Sequence, residues 1–181
     1  MTFINAVDQS QVPTEIRTVL DGADLRLLGV LANAQGAFRP WLRFSMSLLS
    51  KLELNPLLRE LAILQIAVLE PGGDYEWAQH APLALSAGAT EAQLDALRRG
   101  PETRPDFTEE QAIVLRFTRQ VVRDGVPQHE TRAVALDRLG PRQVIELLLV
   151  IGQYMMVARI AAAAGLEPEL PAGSVAEQAQ V

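Results

Sequence analysis

Three side chains are of a type and spacing that suit proton transfer. Glu60 lies in the run Leu57–Leu69, where the only other polar side chains are Arg59 and Gln65. Its helical neighbours Ile63, Leu64 and Ala67, at i+3, i+4 and i+7, are all apolar. A carboxylate facing such a surface is costly unless it is paired or protonated. Glu60 is therefore either one half of a structural ion pair, with Arg59 or a more distant arginine, or an acid/base group tuned by its surroundings. Beyond the turn Glu70-Pro71-Gly72-Gly73, Glu76 and His80 follow at i and i+4 and stack on one helix face. A carboxylate beside an imidazole fixes its tautomer and favours its charged form, so such a pair can move protons near neutral pH. The plainer reading is a surface Glu–His pair worth about a few tenths of a kcal/mol.

Four further residues are candidates for substrate contact. Tyr75 and Trp77 flank Glu76 and make up half of the four Tyr and Trp residues in the chain, which favours a site here. Tyr154 stands among Val150, Ile151, Val157 and Ala158. Its hydroxyl needs a partner, and it either lines a pocket or is buried structurally. Arg43, with Arg39 in Arg39-Pro40-Trp41-Leu42-Arg43, offers a guanidinium to a carboxylate substrate, against the plainer reading of a surface arginine. Arg159 is placed to pair a buried carboxylate or to reach an interface, and His129 reads as an exposed residue at a helix start. Gly72-Gly73 lacks the lysine of a phosphate loop and the spacing of a dinucleotide fold. No nucleophile-elbow pattern is present. With no cysteine, thiol and disulfide chemistry is excluded.

The elements that must hold these residues read as helices. Asn55-Pro56 is a helix start with proline at the first position. Thr90-x-x-Gln93 and Thr108-x-x-Gln111 match the capping box, and Asp74 is positioned to cap the helix that carries Tyr75 to His80. Gly88, Gly100, Gly125, Gly140 and Gly165 each follow a periodic run, as helix-ending glycines do. Helices are expected at about 22–34, 39–51, 56–70, 75–87, 91–99, 109–124, 128–139 and 141–164, with no segment of sustained strand alternation. One domain over residues 1–166 and a flexible tail over 167–181 follow from the Pro-, Gly- and Gln-rich carboxyl end. Two helices, Leu57–Leu69 and Val144–Ala164, are apolar nearly all round, so a small domain holding both is expected to associate with itself.

Composition limits the partners. The chain has 181 residues, a net charge of −6 and a pI near 5.0. Its densest basic cluster, Arg98, Arg99 and Arg104, is interrupted by Glu102 and Asp106. Nucleic acid and anionic membranes are therefore not expected partners. The apolar stretch Leu147–Ala164 is broken by Gln153, Tyr154 and Arg159, and reads as a buried helix rather than a membrane span. The amino end shows no secretory pattern, and a cytoplasmic location is expected.

Leu58-Arg-Glu-Leu-Ala-Ile-Leu-Gln-Ile-Ala-Val-Leu69, followed by Tyr75-Glu-Trp-Ala-Gln-His-Ala-Pro-Leu-Ala84, resembles the carboxymuconolactone decarboxylase family of the alkylhydroperoxidase D-like superfamily. Arg39-Pro-Trp-Leu-Arg-Phe44 and Ile151-Gly-Gln-Tyr-Met-Met156 extend the likeness over about residues 25–165. The resemblance implies an all-α, alkylhydroperoxidase D-like helical bundle, and a homo-oligomer (trimer or hexamer) with sites near subunit interfaces. It matches Glu60 to the family's buried glutamate and His80 to the histidine that closes the motif. The peroxidase branch carries a Cys-x-x-Cys pair at the positions of Gly73 and Glu76, so thiol peroxidation is not expected here.

The expected function is a lyase (decarboxylase) or isomerase that uses no cofactor and no metal. It would act by proton transfer on a small unsaturated acid, lactone or carbonyl compound. His80 would be the acid/base, oriented by Glu60 or Glu76, with Tyr75, Trp77, Tyr154 or Arg43 holding the substrate. One alternative is a divalent metal on Glu60, Glu76 and His80. The other is a binding or assembly protein that has lost catalysis, which would show Glu60 and His80 paired with no cavity beside them.

Overall fold

The computed structural model describes residues 2–23, 25–100 and 107–169. Among these the elements are a short 3-10 turn, Gln9–Gln11, and the helices α1 Thr14–Asp21, α2 Arg26–Leu31, α3 Gln35–Ser50, α4 Pro56–Leu69, α5 Gly73–Ser86, α6 Glu91–Arg99, α7 Glu109–Asp124 and α8 His129–Ala164. The all-α expectation is met. Arg104, Glu102 and Asp106 of the basic cluster lie outside the described residues.

Helix α4 is the centre of the molecule, packed against α5, α7 and α8. Asn55 caps it by accepting from the Leu57 amide, and Pro56 occupies the first position, where no amide is needed. Leu58, Leu61, Ile63, Leu64 and Ile66 point around the whole circumference and are all buried. Burial of each such side chain stabilises the fold by about 1.5–3 kcal/mol. Surrounded on all sides, α4 has no wet face on which to place Glu60, and this sets the demand for ionic partners described below.

Helix α8 has the length and hydropathy to cross a bilayer, yet half of its most apolar window is buried inside the fold. It bends where the sequence predicts a break: Gly140, with φ 74°, precedes Pro141, so the run is two helices end to end. Glu146, just beyond the bend, accepts the Leu54 amide at 2.8 Å and pairs with Arg142, tying α8 to the entry of α4. Both capping boxes form, and Gln93 donates to Gln111 at 3.1 Å, joining one box to the other. Helices α6 and α7 are thereby registered against each other at their starts.

The amino-terminal third differs from expectation. The helix expected over 22–34 is only the short α2, Arg26–Leu31, and α1, Thr14–Asp21, precedes it where no helix is expected. Ile16 and Leu20 bury one face of α1 beside Phe38 and Val12, a packing that the β-branched sequence Thr-Glu-Ile-Arg-Thr-Val conceals from propensity alone. Helix α3 starts at Gln35 rather than 39, with Pro40 in its interior. Phe38 is buried in the same cluster, and this contact outweighs the single amide hydrogen bond that Pro40 removes. Asp74 does not cap α5. Gly72 is the cap, with φ 79°, and Asp74 lies in the first turn, where its charge favours the helix N-terminus. Of the expected tail, residues 167–169 are described and Glu169 is held against α5; residues 170–181 lie outside the described residues.

Candidate active site

The α4–α5 connection sets the site. Its two glycines are packed against backbone. A Cβ on Gly73 would meet the Ala67 carbonyl oxygen at 1.9 Å, and one on Gly72 would meet Ala158 and Ala162 of α8 within 2.8 Å. The tight turn folds α5 back along α4 and at the same time seats it on α8. Glu60 on α4, Glu76 and His80 on α5, and Tyr154 on α8 are thereby brought to one region.

Glu60 is 1% exposed and has both oxygens engaged. One accepts from Arg59, at 3.0 Å from Nε and 2.9 Å from the second terminal nitrogen, and the other lies 2.8 Å from His80 Nδ1. Arg59 is itself anchored by donating to the Leu49 carbonyl at 2.8 Å. Burial pushes the Glu60 carboxyl up, but the charge and hydrogen bond of His80, and then those of Arg59, outweigh it and hold the group below the usual carboxylate range. Glu60 is thus held as an anion inside the fold, and its contact is to Nδ1, so Nε2 is the ring nitrogen of His80 that does not face it. The imidazole is fixed from the side as well, edge-on to the Tyr154 ring with centroids 4.8 Å apart.

Glu76, expected to stack with His80, does not bond to it. It is 2% exposed, and neither carboxylate oxygen has a protein partner. Burial, with the nearby negative charge of Glu70, raises its pKa well above the usual range and so favours the protonated form of this carboxyl. The Tyr154 phenol is raised too, by burial and by the Glu60 charge, and remains a hydroxyl.

His80, Glu76 and Tyr154 share the wall of a cavity of about 460 Å³. Its remaining surface is mainly aliphatic, from Leu27 and Leu28 of α2, Leu42, Met46 and Leu49 of α3, and Val157 of α8. The other expected contacts are distributed differently. Tyr75 lines the cavity, but its hydroxyl donates to Glu169 at 2.8 Å and accepts from the Leu27 amide at 3.3 Å. Trp77 lies off the cavity wall, stacked under Arg98 at 4.3 Å. Arg43 is exposed and outside the lining. His129 is exposed at the start of α8, and Arg159 forms a two-pronged pair with Glu70 at 3.0 and 2.9 Å. Among the described residues no three His, Asp or Glu side chains are arranged to hold a metal, and Arg59 and His80 already occupy both Glu60 oxygens.

Among the lining residues with polar atoms, Trp41 and Ser45 of α3, Gln79 of α5 and Gln153 of α8 are not among the site residues expected from the sequence. Gln153 is buried and donates to Ser45 Oγ at 2.6 Å. Its signal was in plain view as a polar residue breaking an apolar helix.

Residues 35–120, from the start of α3 into α7, match the carboxymuconolactone decarboxylase family model. The window contains Glu60, Glu76 and His80, and stops short of Gln153 and Tyr154. No curated protein matches the sequence. Among solved structures, the chain is similar to an alkylhydroperoxidase AhpD core, an uncharacterized peroxidase-related protein from Ralstonia eutropha JMP134. The TM-score is 0.66 at 16% identity, over 93% of this chain and 92% of that one. At that identity the likeness concerns the fold, and the cysteine-free sequence holds no thiol to carry peroxidase chemistry. Residues 35–120 are thus similar to the carboxymuconolactone decarboxylase family, and the chain as a whole has the alkylhydroperoxidase D-like helical fold.

Proposed function

We propose that this protein is a lyase or isomerase that needs no cofactor and moves a proton on a small unsaturated acid, lactone or carbonyl compound. The observation that carries the reading is the 2.8 Å contact between Glu60 and His80 Nδ1 at the edge of a mostly apolar cavity. With Nδ1–H donated to Glu60, the Nε2 lone pair is free to take a proton from carbon next to a carbonyl. The imidazolium that forms is stabilised by the buried Glu60 carboxylate, and it can return the proton to the same or a conjugated carbon. General acid–base help of this kind accelerates reactions by about 10²–10⁴-fold. Glu60 acts through His80 as a positioning residue. The cavity beside the pair favours chemistry over a purely structural role.

The same proposal makes the protein a homo-oligomer in the cytoplasm. The apolar outer face of α8 supports the first part, and the absence of cysteine fits the second.

The test is proton exchange. Lactones and unsaturated ketones are incubated with the protein in D₂O, and deuterium at carbon is followed by NMR. The wild type is expected to catalyse exchange, and His80→Gln to lose at least about 100-fold of it while keeping its fold by circular dichroism. Equal exchange in both proteins would remove His80 from the mechanism.

A further inference from the structure

Four buried atoms without a protein partner belong to residues of one cavity: Trp41 Nε1, both carboxylate oxygens of Glu76, and Oε1 of Gln153. Buried polar atoms are nearly always satisfied, and a cluster of exceptions around one space marks what that space is built to receive. The inventory is specific. The indole supplies a donor only, and the amide of Gln153 has one end in use on Ser45 and the other free. A carboxyl that keeps its proton supplies a donor and an acceptor.

The lining contains no lysine and no arginine. The guanidinium of Arg59 is taken by Glu60 and by the Leu49 carbonyl, and Arg43 lies outside the cavity wall. A carboxylate ligand would therefore lose its water without gaining a fixed cation, and would lie beside the negative charge of Glu60. Burying an unpaired carboxylate is among the costliest changes a site can demand. An uncharged carbonyl or lactone loses far less, and its oxygen can accept from the Trp41 or Glu76 donors.

From this we infer that the cavity takes an uncharged, largely apolar carbonyl compound or lactone, with polar atoms matched by the Trp41 N–H, the Glu76 carboxyl and the free end of the Gln153 amide. The inference rests on the proton-transfer reading and narrows it to isomerisation, because an uncharged substrate has no carboxylate to lose. The C–H bond next to the carbonyl breaks and its proton passes to His80 Nε2. The electron pair moves onto the carbonyl oxygen as an enolate, held by the waiting donors. The Nε2–H bond then breaks as a new C–H bond forms at the conjugated carbon, and the carbonyl is restored. Nothing is oxidised, and no co-reactant is consumed. A neutral carboxyl that donates to an enolate oxygen is an established device for this type of step.

Binding of a matched pair of fluorescent probes tests it, namely 2-acetyl-6-hydroxynaphthalene and 6-hydroxy-2-naphthoate. The two differ only in ketone against carboxylate. At pH 7 the ketone is expected to bind at least about tenfold more tightly. Trp41→Phe should weaken the ketone about five- to tenfold and leave the naphthoate unchanged. Glu76→Gln, which keeps a neutral donor and acceptor, should stay within about threefold of wild type. Naphthoate binding as tight as the ketone, or no binding of either probe up to about 1 mM, overturns the inference. Exchange activity of the wild type, set beside these titrations, separates the two readings. Preserved ketone preference with no exchange activity in the wild type would sink the chemistry alone, whereas exchange activity with naphthoate preference would sink the substrate class alone.

Discussion

Glu60 and Glu76 are both buried carboxyls within one site, and their surroundings drive them in opposite directions. The pH dependence of stability should separate them. Glu60, held low by His80 and Arg59, contributes stability that is fully present above the ordinary carboxylate range and is lost as pH falls through its lowered value. Glu76 has the reverse sign. Above the ordinary value of 4.5 the unfolded chain releases this proton while the folded chain keeps it, so stability falls as pH rises. Glu76→Gln removes that loss. The variant is expected to be more stable than wild type at pH 7, and the two should converge below pH ~4. Urea denaturation across pH measures it; a variant less stable than wild type at pH 7 would mean that Glu76 is charged in the fold. At this scale the sequence shows which residues are unusual but not how they pair. Glu60 stands out as a charge in an apolar helix, but its bond to His80 spans 20 positions and depends on how α5 folds back. The i,i+4 spacing of Glu76 and His80 suggests a bond that the fold leaves unmade.

The elements act through one turn. Gly72-Gly73 lets α5 lie on α4 and α8 at once, and the position of His80 against both Glu60 and Tyr154 follows from it. Gly73→Ala should cost more than about 3 kcal/mol, because its Cβ would lie 1.9 Å from a backbone oxygen that cannot swing aside. Thermal melting of Gly73→Ala beside Gly88→Ala makes the comparison, since Gly88 has open space around its Cβ position and only its backbone conformation to lose. Equal destabilisation by the two would show that the turn bears no packing constraint. Helices α4 to α8 were legible because their caps and terminal glycines are local signals that agree with the apolar period. Helices α1 to α3 were less so. Their boundaries are set by Ile16, Leu20, Phe38 and the cluster they share, and a tertiary contact leaves no mark within one turn of sequence. Trp41 and Gln153 were missed as site residues for the same reason, since α3 and α8 meet only in the folded chain.

For the molecule as a whole, α8 presents two apolar sides. The inner side packs on α4 and α7. The outer side exposes Ile145, Leu148, Leu149 and Met156, 56%, 37%, 42% and 39% accessible, with Gly152 leaving open space between them. A second copy of the chain is the proposed cover for this stripe. Leu149→Glu is therefore expected to lower the mass found by light scattering to that of a monomer, with helical content unchanged. An oligomer that survives the substitution would place the interface elsewhere, and a monomeric wild type would remove the proposal.

The closed space around Gly73 also limits which side chains this position can carry. The resemblance puts a peroxidase cysteine at that position, and in this fold the backbone of α4 occupies the volume such a side chain would need. Restoring two codons would not restore a dithiol, because the last turn of α4 would first have to withdraw.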